Sequence, residues 1–322
     1  MNFKKLLLVL FLVAIIGIVV AISVKSGKDN KKDNGKLNVI VTNFIGYDFV
    51  RQVAGDNVNL SYLLKPGVEM HSYEPSSTDL ADIQNADLFI YVGGEMEKWT
   101  DRVLETLDTS NTKVLRLMDT VTLIEEQEVD GAEVEDDDDH DHDEEEIEYD
   151  EHIWASPANA MQIVEAISEE LILLNNENKE IYTANADKYM KEIKEVQAEI
   201  RKIVDRKVRN RVVFGDRMPM QYFINEFDLE VSAAFNGCST ETEPSSKTIA
   251  YLIDTIKKDE IPVVLYIELN SGKVANTIAD ETGATAMQIQ SLHNISKEDF
   301  NHGETYVSLM ARNLEVLKKA LQ

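Results

Sequence analysis

Short apolar, β-branched runs alternate with helical stretches on both sides of a long acidic tract. That alternation restricts the chain to parallel sheets covered by helices. Before the tract the runs fall at 37–42, 58–64, 88–92 and 113–117; after it they fall at 211–214, 229–232, 262–267 and 285–289. Helices are expected between them, at 47–54, just after Ser76 or Ser77, at 95–107 and over most of 299–321. Between the two halves, 158–174 and 179–208 repeat apolar residues at helical spacing, with Tyr189, Ile193, Val196 and Ile200 on one stripe. A helix of ~30 residues runs ~45 Å, enough to bridge two bodies. The expected fold class is therefore α/β: two β/α lobes with mainly parallel sheets, joined by a long rigid linking helix. No P-loop and no G-x-G-x-x-G is present, so nucleotide binding has no support.

The tract at 125–150 holds no Lys or Arg and carries His140 and His142 among its carboxylates. Like charges in such a run repel one another, and too few apolar residues offset that repulsion, so a solvated loop is expected. Imidazole interleaved with carboxylate also attracts divalent cations, which makes His140 and His142 a weak metal collector. Beyond the tract, Ser156 and Pro157 have the chemistry of a helix N-cap and first turn. His152 stands at the junction between loop and helix.

The formal net charge of -27 argues against nucleic acid and anionic lipid as partners and favours a metal cation. The single Cys238 excludes a disulfide framework and a cysteine zinc cluster; a small buried residue is its expected role. Lys4 and Lys5 precede an apolar run at 6–24, long enough to act as an export signal or a membrane span. No Cys follows that run, so the segment itself, rather than a lipid, is the expected anchor. The body is expected outside the cytoplasm, tethered by a polar linker, or secreted if the segment is cleaved. The expected divisions are 1–36 for anchor and tether and 37–157 for the first lobe, with the acidic loop at 125–151. The linking helices then occupy 158–208 and the second lobe 209–322.

Four histidines lie outside the acidic tract. His71 follows a strand, His152 opens the second half, and His293 follows another strand, the places where α/β sheets present ligands. His302 sits in a polar turn and reads as an exposed bystander. Three histidines at three strand or loop exits could converge in a cleft between the lobes, although no spacing rule such as H-E-x-x-H links them.

Four motifs add to this pattern: PGVEMHSYEPS at 66–76, YDEHIWASP at 149–157, Tyr222-Phe223 with Glu226 to Leu229, and Thr305-Tyr306 with Met310 and Asn313. Over 37–321 the chain resembles the zinc and manganese solute-binding proteins of ABC importers, and the acidic His-bearing loop resembles their zinc branch. The resemblance implies two β/α lobes, a rigid linking helix and a metal ion held between the lobes. His71 matches the first ligand and His152 the second. The third is usually a histidine where this chain has Arg217, and the fourth an acid where this chain has His293.

An exchange of partners is therefore expected, with a carboxylate in the third place. Asp216 and Glu268 are the candidates, against helix capping or an ion pair with Arg217 for Asp216 and orientation of a ligand histidine for Glu268. Three imidazoles with one carboxylate suit tetrahedral Zn²⁺ better than Mn²⁺, which favours oxygen donors. The implied function is an extracytoplasmic receptor, expected as a monomer, that passes Zn²⁺ to an ABC permease in the membrane. A manganese receptor, a surface adhesin and a metal-dependent enzyme are the alternatives.

Overall fold

The computed structural model describes residues 35–68, 73–132, 148–237, 239 and 243–322. The apolar segment at 6–24, His71, the collector histidines His140 and His142, and Cys238 lie outside the described residues. Among the described residues no helix is long and apolar enough to cross a membrane.

The first half runs β1 (Leu37–Val41), α1 (Phe44–Ala54), β2 (Val58–Tyr62), α2 (Ser77–Gln84), β3 (Leu88–Tyr91), α3 (Trp99–Leu104) and β4 (Lys113–Arg116). Two long helices follow, α4 (Pro157–Leu174) and α5 (Lys179–Val204). The second half runs β5 (Arg211–Arg217), α6 (Gln221–Glu226), β6 (Glu230–Phe235), α7 (Ser246–Lys258), β7 (Val263–Ile267), α8 (Lys273–Thr282), β8 (Thr285–Ile289), α9 (Lys297–His302) and α10 (Tyr306–Leu321). Each half builds a four-stranded parallel sheet, in the order β2-β1-β3-β4 and then β6-β5-β7-β8. The two orders are the same, so in each sheet the strand order, not the strand direction, reverses beside the first strand. Loops after the strands' C-terminal ends at such a reversal leave a crevice for ligands.

Local chemistry explains most boundaries. Asn43 caps α1 by accepting the N–H of Gly46, which starts the helix at Phe44, three residues before the expected 47. Ser76 and Asp79 form a capping box at α2. Ser156 caps α4 with Pro157 in its first turn, as the sequence suggests. The helix expected at 95–107 is instead a 3₁₀ turn, Glu95–Glu97, followed by the short α3. The Glu97 carboxylate is buried and accepts the N–H groups of Val92 (2.6 Å) and Gly93 (3.0 Å), which bends the chain there. At the other side, α5 stops at Val204 rather than 208, and the N–H of Val208 turns to the carbonyl of Leu321 (2.9 Å).

Helix α5, about 39 Å long at 1.5 Å per residue, joins the two halves physically. Its buried stripe is Tyr182, Ala186, Tyr189, Ile193, Ile200 and Val204, while Val196 is half-buried beside it. The stripe packs on α1 of the first lobe and α10 of the second. Asp48 of α1, fully buried, accepts the Tyr189 hydroxyl (2.5 Å) and the backbone N–H of Tyr306 at the start of α10 (2.8 Å). Glu226 of α6 holds Ser156 and the N–H of Ala158 (3.2 Å) with one oxygen and Gln197 (2.7 Å) with the other. One apolar core runs from Val39 and Phe44 through Tyr189 to Phe214 and Leu265. Leu37–Gln322 accordingly forms a single compact unit.

The margins of the acidic tract are tied down by specific pairing, although Glu125, Gln127, Glu128, Asp130, Glu148 and Tyr149 keep the exposure expected of a solvated loop. Glu125 pairs antiparallel with Tyr149, and Asp130 bridges to Ser232 on the edge strand β6. Val129 is buried and its N–H donates to Asn236 (3.1 Å), while Arg211 meets the Asp130 carboxylate at 3.1 Å. Asp150 and Glu151 are also buried, at 2% and 3% exposure. Backbone pairing and an Arg partner offset the charge cost at these two ends, where composition alone gives no such signal.

Candidate metal centre

His152 follows the returning stem of the acidic segment and has 0% exposure. Its backbone N–H donates to Asp150 Oδ1 at 2.7 Å, and its Nδ1 lies 3.3 Å from the same oxygen without hydrogen-bond alignment. Its Nε2 is buried with no hydrogen-bond partner among the described residues. Burial alone would lower the imidazole pKa; the Asp150 charge, helped by Glu151 and Glu126, outweighs it, and the net direction is upward. A buried, unpartnered ring nitrogen beside a carboxylate is costly unless a cation meets it. Such a nitrogen fits a metal ligand whose other side faces an orienting carboxylate.

His293 stands 5.0 Å from His152, ring centroid to centroid, with the planes at 82°. Trp154 stacks on His293 at 6.2 Å and meets His152 edge-on at 5.6 Å. The indole N–H of Trp154 donates to the Ser291 carbonyl (3.1 Å), and the Tyr306 hydroxyl donates to the Trp154 carbonyl (3.1 Å). Asn313 grips Gln290 from both sides, accepting its N–H and donating to its carbonyl, each at 2.8 Å. Tyr222 accepts the N–H of Ile124 (3.2 Å) and donates to the Asp150 carbonyl (3.0 Å). The motif residues Trp154, Tyr222, Tyr306 and Asn313 thus frame the segments that carry the two histidines.

The turn after β3 closes the other side. Met96 is 7% exposed and its Sδ lies 3.2 Å from His293 Nε2. The Glu151 carboxylate accepts the N–H groups of Glu95 and Met96, the latter at 3.0–3.1 Å. Burial pushes the Glu151 carboxyl up to about 7, against the opposing pull of those N–H donors and of His152. Gly94 has φ +81°, and a Cβ there would lie 2.4 Å from Glu151 Cδ. Gly94→Ala should therefore displace Glu151 and strain the turn, lowering the melting point of the metal-free protein by the equivalent of about 2 kcal/mol. An unchanged melting curve would show that Glu151 does not hold this turn. Gly237 packs closely as well, since a Cβ there would stand 3.4 Å from His152 Cε1.

Among the described residues no third His, Cys, Asp or Glu joins this pair in a metal-sized cluster. Asp216 and Glu268 are both buried, and burial raises the pKa of each. Asp216 accepts from the N–H groups of Arg217 (2.8 Å) and Ile267 (3.0 Å) and from the Asn270 side chain (2.8 Å), tying β5 to the end of β7. Glu268 accepts the N–H (2.7 Å) and hydroxyl (2.8 Å) of Ser291, two residues ahead of His293. Both acids line a hollow of about 520 Å³, with Arg217, Leu269 and Lys273, that neither histidine lines. Asp150, Glu151 and Met96 had no assigned role in the sequence reading. Asp150 and Glu151 carry a local signal, since both stand directly before His152 within the motif at 149–157, whereas Met96 carries none.

On the first-lobe side, Gly67 donates its N–H to the Ile295 carbonyl (2.8 Å), and Asn294 donates to the Val68 carbonyl. The described chain leading to His71 is thereby fixed beside the residues that follow His293.

The family model for the periplasmic zinc-uptake complex component A, ZnuA, matches residues 39–320. The zinc-binding lipoprotein AdcA of Streptococcus pneumoniae is 31% identical over 294 residues, which is 90% of this chain and 57% of AdcA. The chain thus spans little more than half of that relative's length. It matches the high-affinity zinc uptake system protein ZnuA of Bacillus subtilis at 31% identity, over 93% of this chain and 91% of that protein. The Zn(II)-bound ZnuA-like domain of S. pneumoniae AdcA aligns with a TM-score of 0.73 at 30% identity, covering 89% of this chain and 99% of the domain. With a two-lobed parallel fold and two buried histidines facing each other, the chain belongs to the ZnuA family of zinc-uptake components.

Proposed function

We propose that the protein is an extracytoplasmic receptor that captures Zn²⁺ between its lobes and delivers it to an ABC permease in the membrane. The observation that carries this reading is the Nε2 of fully buried His152, unpartnered among the described residues, with the His293 ring 5.0 Å away. His71, His152 and His293 form the proposed imidazole set, and the pinning of Gly67 and Val68 beside Asn294 and Ile295 supports the inclusion of His71. Imidazole-rich centres suit Zn²⁺ and disfavour Mn²⁺. Asp216 and Glu268 engage backbone N–H groups, which supports a role in fixing the strand ends around the centre.

The proposed receptor acts as a monomer, held at the membrane by its apolar segment at 6–24. Capture begins at the acidic segment, where His140, His142 and the surrounding carboxylates raise the local cation concentration. The pairing of Glu125 with Tyr149 supports this reading, since the second stem leads directly into His152. Asp48 and Glu226 cross-link both lobes to the helical connector, so loading involves small shifts of loops rather than a wide hinge.

Removal of residues 133–147, bridged by a short Gly-Ser linker, tests this division of labour. The deletion spares Asp150 and both stems. Calorimetric zinc titration should show the tight site unchanged and the weaker additional sites gone. A tight site that disappears with the collector would contradict the reading.

A further inference from the structure

Met96 belongs to the buried apolar core, yet its thioether also meets a polar ring atom. Its Sδ faces the Nε2 of His293 at 3.2 Å. Two donors sharing one tetrahedral ion, at about 2.0 Å for nitrogen and about 2.3 Å for sulfur, stand about 3.5 Å apart. The observed separation is close to that spacing. The sulfur is also delivered by a rigid turn. Gly93 and Gly94 take φ of +101° and +81°, and the Glu151 carboxylate holds the Met96 N–H. Glu151 itself adjoins His152, so one carboxylate couples the thioether to the second imidazole.

We propose that Met96 is a metal-donor side chain whose thioether, with the imidazoles of His152 and His293, lets the centre hold a soft monovalent d¹⁰ cation such as Cu⁺ in competition with Zn²⁺. Thioether sulfur favours soft ions, while imidazole serves both, so the sulfur sets the balance between them. The inference rests on the histidine pair being the metal centre.

The test uses the full chain and its Met96→Leu variant, a change that conserves volume and keeps the turn packed. Ag⁺, an air-stable soft probe, is titrated in nitrate buffer against a competing chelator, and Zn²⁺ is titrated in parallel. Met96→Leu should weaken Ag⁺ by about a hundredfold and Zn²⁺ by no more than about tenfold, changing the ratio of the two affinities. X-ray absorption of the Cu⁺-loaded wild-type chain should show sulfur at about 2.3 Å, and the variant should lack it. Equal changes for both metals, or none, would overturn the proposal and leave Met96 as a hydrogen-bond acceptor for the His293 ring. The same holds if the wild type shows no sulfur shell or if the variant keeps it. A wild-type chain that binds Ag⁺ through Met96 but fails to bind Zn²⁺ would instead overturn the zinc-receptor reading and the competition with Zn²⁺, while the soft-ion donor role of Met96 would stand.

Discussion

His152→Ala and His293→Ala should each weaken zinc binding by about a thousandfold, or ~4 kcal/mol. A tetrahedral centre that loses one imidazole loses a quarter of its donors, and neither site offers a ready substitute. His152 lies at 0% exposure, and no other His, Cys, Asp or Glu clusters with the pair among the described residues. Trp154 contacts both rings, so its fluorescence should report zinc loading in the wild type. That response should vanish in both variants while the circular dichroism of the metal-free proteins stays the same. Zinc binding at full strength in His293→Ala would remove this residue from the centre and undo the exchange of ligands inferred from the sequence.

Asp48→Ala should produce the largest loss of stability among single substitutions at the contacts between the lobes and the helical connector. The carboxylate is fully buried and serves three elements: Arg51 (2.6 Å) and Gln52 (3.2 Å) within α1, the Tyr189 hydroxyl on α5, and the Tyr306 N–H on α10. Alanine leaves a buried hydroxyl and a helix-start N–H without this acceptor, and leaves Arg51 with the Glu304 carbonyl (2.9 Å) in place of its ion pair. Breaking a buried charged network in this way costs about 3–5 kcal/mol. The midpoint of thermal unfolding should fall by about 10 °C or more. Asp48→Asn keeps one acceptor oxygen and should fall by less. If Asp48→Ala melts within a degree or two of the wild type, Asp48 is not what joins the lobes to the connector.

Much of the fold is legible residue by residue. The runs that became β3 and β7 are continuous apolar stretches, and β1 is interrupted only by Asn38, because parallel strands are buried on both faces. The stripe containing Tyr189, Ile193 and Ile200 gave the connector, and Ser156-Pro157 gave the start of α4. Strand order was not legible, because nothing local to β1 shows that it lies between β2 and β3. The break in the helix expected at 95–107 was equally hidden. It depends on Glu97 folding back onto Val92 and on Glu151, more than fifty residues away, accepting the N–H groups of Glu95 and Met96.

At the centre, the types and places of His152 and His293 were visible and suggested convergence in a cleft, while the resemblance to a family made that pairing specific. Asp216 shows the limit most clearly. From sequence it could cap a helix, pair with Arg217 or bind metal, whereas it accepts from Ile267 and Asn270 across the sheet end. Such long-range hydrogen bonds leave no periodicity to read. The anchoring of the acidic margins was hidden for a related reason: repulsion within a tract is visible in its composition, while the Arg211 and Asn236 that anchor it are not.

The most direct measurement is zinc-edge X-ray absorption, with metal content, on the full chain purified without added metal. One zinc per chain with a nitrogen-dominated shell and imidazole multiple scattering is the expected result. Zinc surrounded by oxygen alone, or no retained zinc at all, would contradict a histidine centre between the lobes.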